Sequence, residues 1–282
     1  VANCSVGSLS CNAVCDCTDA YFGSETCSLN STELLKKQAL RAQVLSGVQR
    51  LVDLEDGDAQ TVEGWVNSIA MAAQVPDELS TESSASLLSM VDSVLVSAAQ
   101  ADVSNDVISA MLTSVDAALL ASVSQVERVR RRLSRSSTVP VHNLFTRRLL
   151  STAQNASVNS TLARTESTLA VFRSVVSDNL LPGQDAVDIS LPQFRLLVQK
   201  LPLTSDADSN ATISVPQTAL ERFHGQQVSS VSLPLSVGTV NATSVSVSLT
   251  SMRGELFNTQ LQLTDTAQAY SDALTVEVGG AP

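Results

Sequence analysis

All five cysteines of this chain lie near its start, and none follows Cys27 in the remainder of its 282 residues. The segment that holds them is rich in Gly, Ser, Asn and Asp and has no long apolar run. A segment this short cannot bury enough apolar surface to fold unaided, so cross-links must stabilise it. The pattern predicts a disulfide-stabilised module over residues 1–29, in an oxidising compartment, built on Cys4, Cys11, Cys15, Cys17 and Cys27.

The second half of this module, residues 15–27, resembles the end of an EGF-like domain. A C-x-C pair is followed by an aromatic pair, by Gly23 and by a closing cysteine, although Ala20 stands where the family usually has glycine. Spacing alone leaves the connectivity open. The resemblance implies a definite pairing: Cys4 with Cys15, Cys17 with Cys27, and Cys11 with a cysteine upstream of Val1.

Six N-x-[ST] motifs favour the same compartment. Each is a weak signal in a chain rich in Ser and Thr, but together with the cysteines they predict a secreted or cell-surface glycoprotein carrying N-linked glycans. The acceptor asparagines are Asn3, Asn30, Asn155, Asn159, Asn210 and Asn241.

The charge of the chain argues against two classes of partner. It has 17 basic and 28 acidic residues, a formal net charge of −11, which suits neither nucleic acid nor an anionic membrane surface. The longest uncharged run, from Phe223 to Met252, alternates apolar with small polar residues. This period of two predicts half-buried strands, so we expect no nucleic-acid partner and no membrane insertion within this chain.

Residues 30–134 are predicted to form an antiparallel helical subdomain, because amphipathic stretches follow each other through short connections. Asn30 and Glu33 have the spacing of a capping box, and Pro76 is expected to end the second helix. The predicted inward faces are Leu40, Val44, Val48 and Leu51 in the first helix; Val62, Trp65, Val66, Ile69 and Met71 in the second; Leu87, Val91, Leu95 and Ala98 in the third; and Ile108, Leu112, Val115, Leu119, Val123 and Val126 in the fourth.

The pattern changes twice after these helices. Residues 135–147 have the composition of an exposed basic loop, and residues 148–182 are predicted to form a long linking helix. From Gly183 to the end, short period-two segments with turn signals predict an antiparallel β-sandwich subdomain, interrupted by a short helix at 218–223. Helices followed by strands define the α+β class. The predicted strands are 186–190, 194–203, 211–215, 228–237, 244–250, 256–263 and 274–278.

This order of elements resembles the GAIN domain of adhesion-type receptors and polycystin-like proteins. The resemblance is carried by the helix–break–helix run at 74–80, the long helix before the strands, and Ile189-Ser-Leu-Pro192 leading into Phe194. It implies a helical subdomain packed on a β-sandwich. The family's cleavage motif, a His-Leu pair before Ser or Thr, is not present at His142 or His224, so this chain is not expected to cleave itself; we expect any such motif beyond Pro282.

Catalytic and metal chemistry have few candidates. His142 and His224 are the only histidines, and both are expected to be surface residues without a nucleophile to serve. The acidic run 53–58 lacks the loop length and the closing glutamate of an EF-hand and is interpreted as a solvated turn. We expect no catalytic residue, no metal and no cofactor.

An arginine cluster stands out in this acidic chain, and three interpretations remain open. Cations at a helix C-terminus complement the helix dipole. The same residues resemble a site for secretory-pathway convertases, beside a loop exposed enough to be cut. They could also dock on an acidic patch of a neighbouring copy. The central residues are Arg128, Arg130, Arg131 and Arg132.

The sequence favours a non-enzymatic extracellular structural or adhesion module, part of a larger cell-surface protein such as a receptor or polycystin-like ectodomain. The alternative is a subunit of an extracellular filament or coat, such as a flagellar mastigoneme. The expected partners are other protein modules or copies of the chain itself.

Overall fold

The computed structural model describes residues 28–101, 103–135, 144–203, 210–223, 225, 228–235, 243–253 and 273–280. All five cysteines of the predicted module therefore lie outside the described residues, and so do the predicted disulfide pairs and Asn3. Asn241, both histidines and the predicted strand 256–263 lie outside them as well.

The α+β class is confirmed: among the described residues, five long helices precede six strands. The helices are α1 (Ser31–Leu54), α2 (Ala59–Ala73), a 3₁₀ turn (Pro76–Glu78), α3 (Thr81–Gln100), α4 (Asn105–Arg135) and α5 (Leu144–Asn179).

The helix starts follow local capping rules. The predicted capping box is present: Asn30 Oδ1 accepts a hydrogen bond from Glu33 N at 2.9 Å, and Glu33 Oε2 accepts one from Asn30 N at 3.0 Å. Asp58 caps α2 in the same manner through Thr61 N, and Ser80 caps α3 through Ser83 N. These side chains satisfy backbone N–H groups that have no partner within the first helical turn.

The predicted inward face of α3 is confirmed, but that of α1 is wrong. In α3 all four predicted residues are buried. In α1 the buried residues are Leu34, Leu45 and Val48, while three of the four predicted residues are exposed (Leu40, Val44 and Leu51). Neighbouring residues in a helix lie about 100° apart, so α1 has two apolar stripes and only one of them can face the core. Met71 of α2, also predicted to face inward, is likewise exposed.

The arginine-containing connection is shorter than predicted. Helix α4 ends at Arg135 and α5 begins at Leu144, four residues before the predicted start of the linking helix. Residues 144–147 (LFTR) contain neither proline nor glycine, so nothing in their composition prevents the helix from extending back towards Pro140.

Six strands form two antiparallel sheets. They are β1 (Val187–Ser190), β2 (Phe194–Pro202), β3 (Asn210–Ser214), β4 (Ser230–Pro234), β5 (Ser244–Met252) and β6 (Ala273–Gly280), with the short helix α6 (Ala219–Phe223) between β3 and β4. One sheet has the order β1-β2-β5-β6, and β3 pairs with β4 in the other.

The two faces of the larger sheet have different neighbours. Phe194, Leu196 and Val198 of β2 join one apolar core with the helices, and Met252 of β5 belongs to the same core. Side chains on the opposite face pack against the β3–β4 pair and form a second core with it. This second core consists of Leu201, Ile213, Leu235 and Val247. The alternation of side chains along a strand explains both contacts.

A buried carboxylate joins α1 to the connection between α2 and α3. Glu78 Oε1 contacts Lys37 Nζ at 2.6 Å, and Glu78 Oε2 accepts from Arg41 Nε at 2.9 Å. Arg41 Nη1 also donates to the carbonyl oxygen of Met71 at 3.1 Å, near the end of α2. Burial raises the pKa of Glu78, but the hydrogen bonds and charges of Lys37 and Arg41 outweigh it and lower that pKa below 4.5.

The substitution Glu78→Gln is expected to lower the free energy of unfolding by about 1–2 kcal/mol at pH 7, a modest loss because Lys37 is half exposed. A lowered pKa means that Glu78 stabilises the fold above pH 4.5 and that this stabilisation disappears as the pH falls through the folded-state pKa. Urea unfolding should therefore show a smaller difference from the native chain at pH 3 than at pH 7. Glu63→Gln, at an exposed position of α2, is the matched control; a difference of equal size at both pH values would contradict the assignment.

Candidate functional site

The candidate site is the junction where α4 and α5 meet the larger sheet. We call it the polar junction: Asp116, Arg173 and Ser177 on the helices, with Gln193, Ser246 and Thr250 on the sheet side. Each helix residue bonds a sheet-side residue at least 69 positions away in sequence. These polar contacts help to fix the helices on the sheet, and Lys200 Nζ of β2 adds a hydrogen bond to the carbonyl oxygen of Ser177 at 3.4 Å.

Asp116 anchors α4. It lies among the apolar residues of that helix and is only 6% exposed. Its Oδ1 accepts a hydrogen bond from the backbone N–H of Gln193 at 2.8 Å, immediately before β2. Burial raises the pKa of Asp116, and the hydrogen bond from Gln193 and the charge of Arg253 only partly oppose this shift. The carboxylate is therefore held where its charged form is disfavoured.

Helix α5 adds two further contacts to the same face. Arg173 is buried, and its Nη1 donates to Thr250 Oγ1 at 2.9 Å. One helical turn later, Ser177 Oγ lies 2.6 Å from Ser246 Oγ. Thr250 and Ser246 are four residues apart in β5, so both point to the face that the helix covers.

The opposite face of β2 has its own ion pair. Arg195 Nη2 lies 2.5 Å from Glu221 Oε1, and Glu221 Oε2 accepts from Thr218 N at 2.9 Å. Burial raises the pKa of Glu221, but the hydrogen bonds from Thr218 and the hydrogen bond and charge of Arg195 outweigh it and lower that pKa. This pair attaches the start of α6 to the larger sheet.

A cavity of about 300 Å³ lies beside Asp116, between α2 and α4. Asp116 is the one ionisable group in its lining, and the carboxylate is already bonded to Gln193. Thr113 is the hydroxyl-bearing residue among the described lining residues, and its Oγ1 donates to the carbonyl oxygen of Ala110 at 2.7 Å. The described lining therefore shows no nucleophile hydrogen-bonded to a base and supports no catalytic assignment. Its residues are Ala70, Ala73, Gln74, Pro76, Thr113, Asp116 and Ala117.

The structure places the predicted glycosylation sites in different environments. Asn210 begins β3 and is exposed, and Asn30 caps α1 through its Oδ1. Asn159 lies within α5, and its buried Oδ1 has no hydrogen-bond partner among the described residues. Asn155 lies on the same helix. Asn210 is therefore more accessible than Asn30 or Asn159.

The arginine cluster lies in the last turns of α4, which ends at Arg135. Of the four central arginines, Arg132 lies in the last turn, where cations complement the helix dipole, and Arg128, Arg130 and Arg131 precede that turn. Proteolytic nicking concentrates at exposed loop tips, so cleavage at these residues would require the end of α4 to unwind.

Two further features of the described residues concern metals and membranes. Within them, no group of three or more His, Cys, Asp and Glu side chains lies close enough to hold a metal ion. Residues Asn105–Gln125 of α4 are long and apolar enough to cross a membrane, with a mean hydropathy of 1.7, but 67% of that segment is buried inside the fold. A core helix meets the same criterion, so this is weak evidence of a membrane span.

Comparison with known proteins adds no assignment. No protein-family model matches the chain, and no curated protein matches it significantly.

Sequence reasoning did not find the polar junction. One signal was available: Asp116 is the single acid within the apolar stripe between Ile108 and Leu119, where an unpaired charge would be costly. Its partner could not be read from the sequence, because Gln193 contributes a backbone N–H.

Proposed function

We propose that this chain is a non-enzymatic extracellular structural or adhesion module within a larger glycosylated cell-surface protein. The observation that supports it most directly is the continuous core: one apolar cluster includes residues from α1 to α5 and extends into β2 and β5. The polar junction bonds the same layers together. Such a body suits the transmission of force between modules attached at its two ends.

The finer parts of this proposal come from the sequence. We assign residues 1–29 to a partial EGF-like module, and the described elements to a GAIN-like helical subdomain followed by a β-sandwich subdomain. The larger sheet, with the β3–β4 pair packed on its outer face, is compatible with that assignment. The module would then lie outside the cell, with other protein modules as partners.

The second candidate is a subunit of an extracellular filament or coat. It is favoured by the edges of the larger sheet: among the described strands, β6 pairs with β5 alone and β1 with β2 alone. Unpaired strand edges can pair with another copy of the chain. Val278 of β6 is also 56% exposed.

Mass spectrometry of intact protein and of non-reduced peptides, on native full-length material, tests these proposals. We expect a Cys17–Cys27 bridge and glycan on Asn210, with lower occupancy at Asn159, whose side chain is partly buried. Asn159 thus acts as an internal control for accessibility. A membrane-spanning segment after Pro282 would support the receptor module, whereas a large assembly without such a segment would support the filament. Free thiols together with unmodified asparagines would contradict both.

A further inference from the structure

The second apolar stripe of α1 lies on the surface of the fold. It consists of Leu40, Val44, Leu51 and Leu54, with Gly47 at its centre, and we call it the outer stripe. The four side chains are 61%, 45%, 46% and 83% exposed. With Gly47 included, the five positions are spaced alternately by four and three residues, as in a helix surface that packs against another helix.

From this stripe we infer that α1 is a self-association surface, which pairs antiparallel with α1 of a second copy of the chain. Three observations on this helix select a second copy as the occupant: the symmetry of the stripe, the distribution of charge along the helix, and the open space at Gly47. The inference does not depend on the proposed function.

The outer stripe is nearly symmetric about Gly47. Leu40 precedes and Leu54 follows Gly47 by the same number of residues, and Val44 and Leu51 lie at nearly equal distances inside them. In an antiparallel pair related by a two-fold axis, Leu40 faces Leu54 of the second copy and Val44 faces Leu51. A surface that is complementary to itself in this way is what a two-fold dimer requires.

The charges that flank the outer stripe change sign along the helix, from basic at its N-terminal end to acidic at its C-terminal end. Lys36 and Lys37 lie at its N-terminal end, and the acidic residues Glu55, Asp56 and Asp58 follow its C-terminal end. Antiparallel pairing brings each basic end to the acidic end of the other copy, whereas parallel pairing would juxtapose like charges. Several of these charges already have partners within the chain: Lys37 pairs with Glu78, Glu55 accepts a hydrogen bond from Trp65 Nε1, and Asp58 caps α2. Lys36 and Asp56 are therefore the charges that the antiparallel arrangement brings together, while Glu33 and Asp53 are bonded within α1 or its cap and the cation Arg50 lies between the two ends.

Gly47 occupies the crossing point of such a pair. A glycine in a helix interior is unfavourable, and a Cβ built at this position would meet no described atom within 4 Å. No described neighbour within the chain therefore requires glycine here. The missing side chain lets a second helix approach closely, which accounts for a glycine in the middle of an apolar stripe.

The expected association is weak. Four apolar side chains on one helix bury less than the roughly 1,200 Å² that stable interfaces need, so the dimer should form and dissociate reversibly with concentration. Sedimentation velocity of the full chain between about 1 and 200 µM covers the range in which such a dimer populates. Substitution Leu40→Glu or Leu51→Glu should raise the dissociation constant by a factor of about 10 to 100.

Leu35→Glu is the matched control, because Leu35 is 65% exposed on the same helix but lies roughly on the other side from the outer stripe. It should leave the dissociation constant unchanged, and circular dichroism should show that all variants keep their helix content. Lys36→Glu and Asp56→Lys should each weaken the dimer, whereas the double variant should restore it, because the two charges then exchange across an antiparallel pair.

Three results would overturn the inference. A chain that stays monomeric throughout this concentration range would overturn it directly. Hydrogen exchange of α1 would then show whether residues 1–27 cover the outer stripe instead. Association that persists unchanged in Leu40→Glu would assign self-association to another surface, such as the β6 edge. A Lys36→Glu variant that binds more tightly would exclude the antiparallel arrangement.

Discussion

Replacement of Phe172 by alanine is expected to lower the free energy of unfolding by about 3–5 kcal/mol. Phe172 lies on α5, is fully buried, and belongs to the core shared by the helices and the larger sheet. The substitution removes a ring from the contact between two layers and leaves a cavity that neither layer can easily close. Urea unfolding followed by circular dichroism measures the loss.

Leu181→Ala is the control for this substitution, since Leu181 follows the same helix and is 70% exposed. Its effect should stay within about 0.5 kcal/mol. Helix and sheet signals should be lost together in the native chain if one core holds both layers. Separate transitions for helix and sheet, with Phe172→Ala affecting only one, would contradict the continuous core on which the proposed function relies.

At Asp116, two substitutions should separate the hydrogen bond from the charge. Asparagine keeps an oxygen that accepts from Gln193 N–H, whereas alanine leaves this N–H in a buried position without its acceptor. We therefore expect Asp116→Ala to be less stable than Asp116→Asn by about 1–3 kcal/mol at pH 7. Thermal or urea unfolding of the two variants measures the difference.

The pH dependence of Asp116→Asn follows from the raised pKa of Asp116. The folded chain holds the proton more tightly than the unfolded chain, so the contribution of Asp116 to stability is fully present below pH 3.8 and is lost as the pH rises through the folded-state pKa. Asparagine does not ionise, so its variant should gain stability relative to the native chain between pH 3 and pH 7. Asp188→Asn, at an exposed position of β1, is the matched control; a stability gain of Asp116→Asn that is equal at both pH values would contradict the role of burial.

The sequence was sufficient where the determinants of structure are local. The capping box at Asn30 depends on residues three positions apart, and α3 has one apolar stripe, so its buried face could be predicted. Most strands could be located because apolar residues alternate within them, as in β2 and β5. In each case the pattern allows one solution.

The failures arose where the pattern allows two solutions or where partners are distant. Helix α1 has two apolar stripes, and the choice between them depends on where α2 and α3 pack. The register that places Phe194 opposite Met252 joins residues that no local rule relates. The polar junction could not be predicted because its bonds connect helices to strands far along the chain, and one of its donors is a backbone N–H.

The strand order β1-β2-β5-β6 has a consequence for synthesis of the chain on the ribosome. Helices α1 to α5 are complete at Asn179, but β5, which covers part of their core, ends at Met252. This strand emerges about 70 residues later, roughly 4–15 s at the usual speeds of translation. During that interval the nascent helices expose the apolar surface that the sheet will cover. Folding of this chain should therefore depend on chaperones that bind the growing polypeptide before β5 is released.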